Sequence, residues 1–337
     1  MKANFKILLI LFFLNCSFAF SQNDFVVNSS RFLQKANPSY FGYNSVMKVG
    51  VLYNSIGIDR YNVINNKYAF GSIDFDNKNF SLGIHVNSFQ IENIGLNSSD
   101  TGLTYVYKIQ LGNNLYFLPS ITAGLSSRKL DPTGLIFGDQ LNASTGFINL
   151  ESNDVFAGES FNVSDFGLDA SFILHNDVFL VGLSLQNLKG PNLSFSDEPQ
   201  IKPLSIGLQG AYEFDINPYD RRFIPRHSFL MTYMNVVKLP DSMYFYLSQE
   251  LQLGEFSIGI SEQAGYLTNG YNLNNFGINF GLSLENFDFG AAYNFPIQKT
   301  GKVFSPSTFE IYVVFDFSIY RRNNRGNYKR LTTDNYY

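Results

Sequence analysis

Phe309-Glu310-Ile311-Tyr312-Val313-Val314-Phe315-Asp316-Phe317 is the stretch on which the reading of the whole chain rests. Phe309, Ile311, Val313, Phe315 and Phe317 occupy one set of alternate positions, and Glu310, Tyr312, Val314 and Asp316 the other. Successive side chains of a strand point to opposite faces, so this is a ribbon with one apolar side and one mostly polar side. The same alternation recurs through most of the sequence. A sheet with so many strands must cover its edges or close on itself. In lipid only closure works, because an unpaired backbone group there is very costly. The pattern predicts an all-β chain, a transmembrane antiparallel β-barrel of about 14 strands. Its last strand, 309–317, closes against the first.

Composition points the same way. The 337 residues are 45% hydrophobic and 17% aromatic but only 15% charged, where a soluble domain carries about a quarter. No uncharged apolar run reaches the ~18 residues that a spanning helix needs. Low charge and many aromatics without long apolar runs suit a membrane barrel. The alternative is a soluble all-β sandwich or propeller. A net charge of −4 argues against nucleic acid as a partner.

Lys2 and Lys6 precede an apolar run over 7–14, and Ala19 and Ser21 supply small residues before Gln22. This is the pattern of an export signal cleaved near Ser21–Gln22. The only cysteine, Cys16, lies in that leader, where Asn15 is a poor neighbour for lipidation. The mature chain then has no thiol and no disulfide. The expected division is a signal peptide (1–21), a polar N-terminal periplasmic, plug-like segment (22–45), the outer-membrane barrel (46–318) and a basic periplasmic tail (319–337) with Arg321, Arg322, Arg325, Lys329 and Arg330. The mature protein belongs in the cell outer membrane, touching its lipid.

Clear alternation marks strands at 80–87, 102–109, 165–172, 179–186, 204–214, 276–285 and 309–317, with weaker ones at 46–58, 67–76, 114–127, 227–238, 242–253, 255–264 and 287–295. If the first strand runs outward, every second connection is periplasmic and short. Those connections are 76–78, 112–114, 175–177, 253–255 and 285–286; only 215–226, with two prolines and three arginines, is long. The intervening ones are generally longer, above all 128–160. Tyr and Phe near strand ends are expected to form the interfacial girdles, since the chain has no Trp.

The polar face carries many glycines, among them Gly83, Gly182 and Gly281. They either let the sheet curve or make room inside for a plug or guest polypeptide. A barrel of this size is not easily filled by its own side chains, and 22–45 is the internal candidate for the plug. Inward charges lean acidic (Asp165, Asp169, Glu213, Glu250, Glu285, Asp288 and Asp316 against Lys48 and Lys108), which fits a solvated wall or a cation-preferring pore. Chemistry is scarce. His85, His175 and His227 lie on separate segments without metal spacing, and no serine elbow, phosphate loop or zinc motif occurs. No catalytic residue, metal or cofactor is expected. On the outward side, Phe137, Phe147, Phe156 and Phe161 punctuate the long loop. They could anchor a partner protein or pack the loop onto its own barrel.

Four segments carry a family resemblance. They are Asn37-Pro38-Ser39-Tyr40-Phe41-Gly42, Phe137-Gly138-Asp139-Gln140, the run 182–192 ending in Pro191-Asn192, and the closing strand. In this order they resemble the PorP/SprF outer-membrane proteins of the type IX secretion system. That family's N-terminal motif reads Asn-Pro-Ala-Tyr-Ala-Gly, so Ser39 and Phe41 depart from it. The resemblance implies a non-enzymatic barrel that assists export or surface anchoring of a large secreted adhesin-like protein, alongside other type IX secretion components. The alternative is an outer-membrane porin or a FadL-like transporter of small or lipophilic solutes.

Overall fold

The computed structural model describes residues 31–43, 47–57, 63–75, 78–91, 94–112, 114–131, 136–141, 152, 161–176, 178–195, 198–219, 223–225, 228–240, 242–267, 270–284, 286–297 and 307–317. The leader with Cys16 and its cleavage point, residues 22–30 and 44–45 of the plug-like segment, Phe147, Phe156, His227 and Glu285, and the basic tail all lie outside these residues.

A four-residue helix α1 (Leu33–Ala36) and a 3-10 turn (Pro38–Gly42) precede the strands. These are β1 (Lys48–Gly57), β2 (Val63–Phe75), β3 (Phe80–Ile91), β4 (Leu96–Tyr107), β5 (Ile109–Gly112), β6 (Leu115–Leu130), β7 (Phe161–His175), β8 (Phe179–Lys189), β9 (Ser205–Asp215), β10 (Phe229–Lys238), β11 (Met243–Leu253), β12 (Phe256–Leu267), β13 (Gly270–Leu284), β14 (Phe287–Pro296) and β15 (Ser307–Asp316). Neighbours in sequence are antiparallel neighbours in space, and β15 pairs with β1, with Val313 opposite Val51 and Glu310 opposite Asn54. The extra strand β5 follows β4 beyond Lys108, and both pair with β6. The result is a closed 14-strand antiparallel barrel with one additional short strand.

The alternation that predicts the strands also sorts their faces. On β15, Phe309 and Ile311 are 45% and 44% exposed, while Glu310 and Tyr312 are buried. The molecule is therefore inverted relative to a soluble domain, with aliphatic side chains outward and polar ones inward, as a lipid-facing wall requires. At the end where β1 begins and β15 ends, outward aromatics form a girdle. Phe80 stacks on Phe75 (4.7 Å) and Tyr105 (5.4 Å), while Tyr212 meets Phe214 (4.4 Å) and Phe315 meets Phe287 (4.5 Å) with tilted rings. Tight turns at this end use Asn79, Asn114 and Gly254 at positive φ, where a short polar side chain or none is tolerated.

Two expectations change. Connections at the opposite end are not uniformly longer: β3 to β4, β10 to β11 and β12 to β13 turn within a few residues. The strands simply run further than the alternation does. β2 begins at Val63, β3 continues to Ile91 and β4 starts at Leu96. Beyond the lipid both faces of a strand meet water, so polar side chains such as Asn65, Gln90 and Asn97 take outward positions too while the hydrogen-bonded ladder continues.

The second change concerns the lumen, which is partly an apolar core. Leu52, Tyr68, Phe70, Val106, Leu118, Ile173, Leu180, Phe229, Met231 and Tyr233 point inward and bury against one another. β10 alternates weakly in sequence because both its faces are apolar, Phe229, Met231 and Tyr233 inward and Leu230, Met234 and Val236 outward.

Candidate functional site

The inward wall is met by residues 31–43, which lie against it toward the end where β1 begins and β15 ends. The turn Pro38–Gly42 packs on β2, β3, β4, β6 and β7. Asn37 caps it. Its Oδ1 accepts the Ser39 N–H (3.0 Å), and its Nδ2 faces Gln209 Oε1 (3.0 Å) and the carbonyls of Phe172 (3.2 Å) and Leu183 (3.3 Å). Proline at the first position of the turn loses no hydrogen bond and presets φ. Ser39, fully buried, forms a hydroxyl triangle with Ser120 (2.9 Å) and Ser171 (3.0 Å), themselves 2.7 Å apart. Tyr40 stacks on Tyr43 (4.8 Å), and Tyr43 meets His175 edge-on (4.6 Å).

Phe41 lies against Phe70 and His85. Its ring occupies the space over Gly83, where an added Cβ would fall 2.2 Å from ring atoms. Here glycine makes room for a side chain of the N-terminal segment. Phe32, Leu33, Phe41 and Tyr43 join the lumen core, so the segment does present an apolar face, contrary to its polar appearance in sequence. Four apolar side chains spread over twelve residues follow no period of 2 or 3.6, which is why pattern reading passes over them.

At the other side of the lumen Arg31 enters a polar nest. It pairs with buried Glu250 and donates to Ser257 (2.5 Å). It also lies 3.5 Å from Gln252 Oε1, 3.6 Å from Asp288 and over the ring of Tyr312. The gap at Gly281 accommodates the guanidinium, 2.8 Å from where a Cβ would stand. Glu250 and Asp288 are thus not merely a solvated wall, and Arg31 is a site residue that sequence reasoning missed. Lys108, also inward, pairs with Asp74.

Above this segment, toward the longer loops, lies a cavity of about 380 Å³. Lys35, Ala36 and Pro38 help floor it; Asn87, Asp100, Asp169, Gln186 and Gln263 stand in its wall. Lys35 Nζ sits over the Tyr68 ring (5.6 Å), and Lys202 pairs with Asp100 (2.8 Å). Polar, aromatic and both charges are all represented. Such a lining suits a hydrogen-bonding guest better than a lipophile.

The two loop motifs serve folding. Gln140 reaches back to accept the Phe137 N–H (2.8 Å) around the turn Gly138–Gln140, and exposed Asp139 accepts from Ser152 (2.8 Å). Asn192 donates its N–H to Asp165 (2.7 Å), and its side chain accepts from the backbone of Ser194 (3.3 Å) and Gln200 (2.9 Å). With the Pro191 carbonyl accepting from Lys202 (3.0 Å), this lays 191–193 alongside 200–202 and brings Pro191 and Lys202 to the cavity. Of the four loop phenylalanines, Phe161 packs on Phe195 (6.0 Å) and Phe137 is half-buried at the start of its turn. Among the described residues no three His, Cys, Asp or Glu gather as a metal ion would need. No described helix is long and apolar enough to cross a membrane, which says nothing of crossing by strands.

A family model described as "Type IX secretion system membrane protein PorP/SprF" matches residues 22–315. No curated protein matches the chain in sequence. Similar solved structures include the outer membrane protein Omp33 of Acinetobacter baumannii (TM-score 0.44, 10% identity, covering 82% of this chain and 100% of that one). A FadL homologue of Pseudomonas aeruginosa (0.48, 9%, 84% and 93%) and the toluene transporter TodX of Pseudomonas putida (0.43, 10%, 88% and 95%) are similar to a comparable degree. Nothing about function follows from likeness at this level.

Proposed function

The chain belongs to the family of type IX secretion system membrane proteins PorP/SprF, and from that premise we propose that it is a non-enzymatic outer-membrane adapter. It helps export, or holds at the cell surface, a large secreted adhesin-like protein, working beside other components of the secretion machine. Residues 22–45 act as its plug, and the outward loops with the cavity beneath them receive the partner.

The observation that carries this reading is the contrast between the two ends of the lumen. Toward the termini, residues 31–43 are knitted to seven or more strands by buried hydrogen bonds, an ion pair and a shared apolar core. Toward the loops, the lumen opens into a polar cavity lined by Asp100, Asp169, Gln186 and Lys202 among others. A passage for bulk solute needs both ends; a receiving surface needs only one. The loop phenylalanines Phe137, Phe147, Phe156 and Phe161 are the aromatic anchors of that surface.

Deleting 132–158 from the otherwise intact barrel in cells is the test. Surface adhesin is then released into the medium while uptake of small solutes is unchanged. Should the adhesin stay on the cell and uptake of a solute collapse, the porin or FadL-like transporter reading replaces this one.

A further inference from the structure

The lumen is not the same all the way round. Under β6 to β10 its inward residues include Leu118, Ile173, Leu180, Phe229 and Met231, which close on the N-terminal segment. Under β12, β13 and β14 the described inward positions are Ser, Gly, Asn, Gln, Asp, Ala and Pro, with no larger apolar side chain among them. Among the described residues this side is built of small and hydrogen-bonding groups.

Several of those groups are buried with no protein partner. Asn275 is 0% exposed and Asn279 3%, and in both the amide nitrogen and the carbonyl oxygen lack a hydrogen bond; so does the fully buried Thr308 hydroxyl. Buried carboxamides left in this state are strongly unfavourable unless water or an ion reaches them. Their register makes them neighbours. Thr308 lies opposite Asn294, and Glu310 lies opposite Asn54, whose Nδ2 is 3.3 Å from its carboxylate. Ala292, between Asn279 and Glu310, is the only apolar residue on that level from β13 to β15. Outward, Asn275 stands opposite Gln263, which lines the cavity. Toward the termini the track reaches Arg31, where Glu250 and Asp288 place two carboxylates around one guanidinium.

We propose that this side of the barrel holds a hydrated file, lined by Asn275, Asn279, Asn294, Thr308 and Glu310, that conducts small monovalent cations past the N-terminal segment. Carboxamide and hydroxyl oxygens replace part of an ion's hydration shell, and the buried Glu310 carboxylate, the one ionisable group among these five, sets the sign. The file is independent of the adapter role, because it needs no loop and no partner.

The chain refolded from Gln22 onward and inserted into planar bilayers under a KCl gradient tests it. The intact protein gives a small current whose reversal potential favours potassium over chloride. Glu310→Gln, close in shape, lowers that preference about tenfold, the scale on which a local charge concentrates counter-ions. Asn279→Leu abolishes the current while unheated protein still migrates as a folded barrel. A chain lacking 22–45 serves as the control for insertion and gives a large, weakly selective conductance. An intact protein that is silent while this control conducts overturns the inference. So does a preference for chloride, or a current unchanged by both substitutions.

Discussion

Gly83→Ala is the sharpest probe of where the N-terminal segment sits. The added methyl would fall 2.2 Å from the Cγ and Cδ2 atoms of Phe41 and 2.8 Å from its Cβ. The obstruction reaches the root of the Phe41 side chain, so a rotation of the ring does not relieve it. Phe41 is 5% exposed. Overpacking of this kind costs ~1–3 kcal/mol, and expelling the ring forfeits ~1.5–3 kcal/mol of burial. A loss of ~3 kcal/mol raises the population with the segment unseated about a hundredfold. The chain refolded from Gln22 has no cysteine, so Ser39→Cys supplies a single, fully buried thiol as reporter. Labelling by a bulky maleimide in detergent micelles measures unseating, with the reporter common to every variant. Phe41→Ala alone also raises labelling, because it empties the space over Gly83. The double variant Gly83→Ala with Phe41→Ala should label far less than the product of the two effects, the methyl now filling that space. If the effects combine within ~0.5 kcal/mol of additivity, or Gly83→Ala labels like its parent, Phe41 does not occupy this seat and the plug reading fails with it.

Two further outcomes follow from the structure. Arg31→Ala strands the buried Glu250 carboxylate, at a cost of ~3–5 kcal/mol, and should raise labelling of the same thiol more than Gly83→Ala does; Glu250→Gln in the same chain should recover most of the loss, and a silent Arg31→Ala would remove the ion pair from the account. Ile121, 63% exposed on β6, faces lipid, so Ile121→Arg should destabilise the barrel in vesicles by ~2–4 kcal/mol, read as a lower urea midpoint for conversion to the unfolded electrophoretic form. An unchanged midpoint would mean that the assigned faces are reversed.

The crossings were legible because alternation is a local property of the pleated backbone. Each of the fourteen segments read from the sequence overlaps an observed strand, including 309–317, which closes on β1. The pattern stopped short wherever a strand left the lipid, because water on both faces removes the reason to alternate. Asn37, Pro38, Tyr40 and Gly42 stood out by their resemblance to a family motif, yet their buried surroundings were not visible.

What only the tertiary structure decided is who meets whom across the lumen. Asn37 finds Gln209 across 172 positions and Arg31 finds Glu250 across 219. Pairs so distant are brought together by the summed register of many strands and the closure of the last on the first, and no local window contains either. The sequence by itself determined that this chain forms a wall with an apolar outside, because that follows from the backbone pleat and the solvent. The register determined that the inside carries an apolar core on one flank and carboxamides on the other, because the content of a closed barrel depends on all its strands at once.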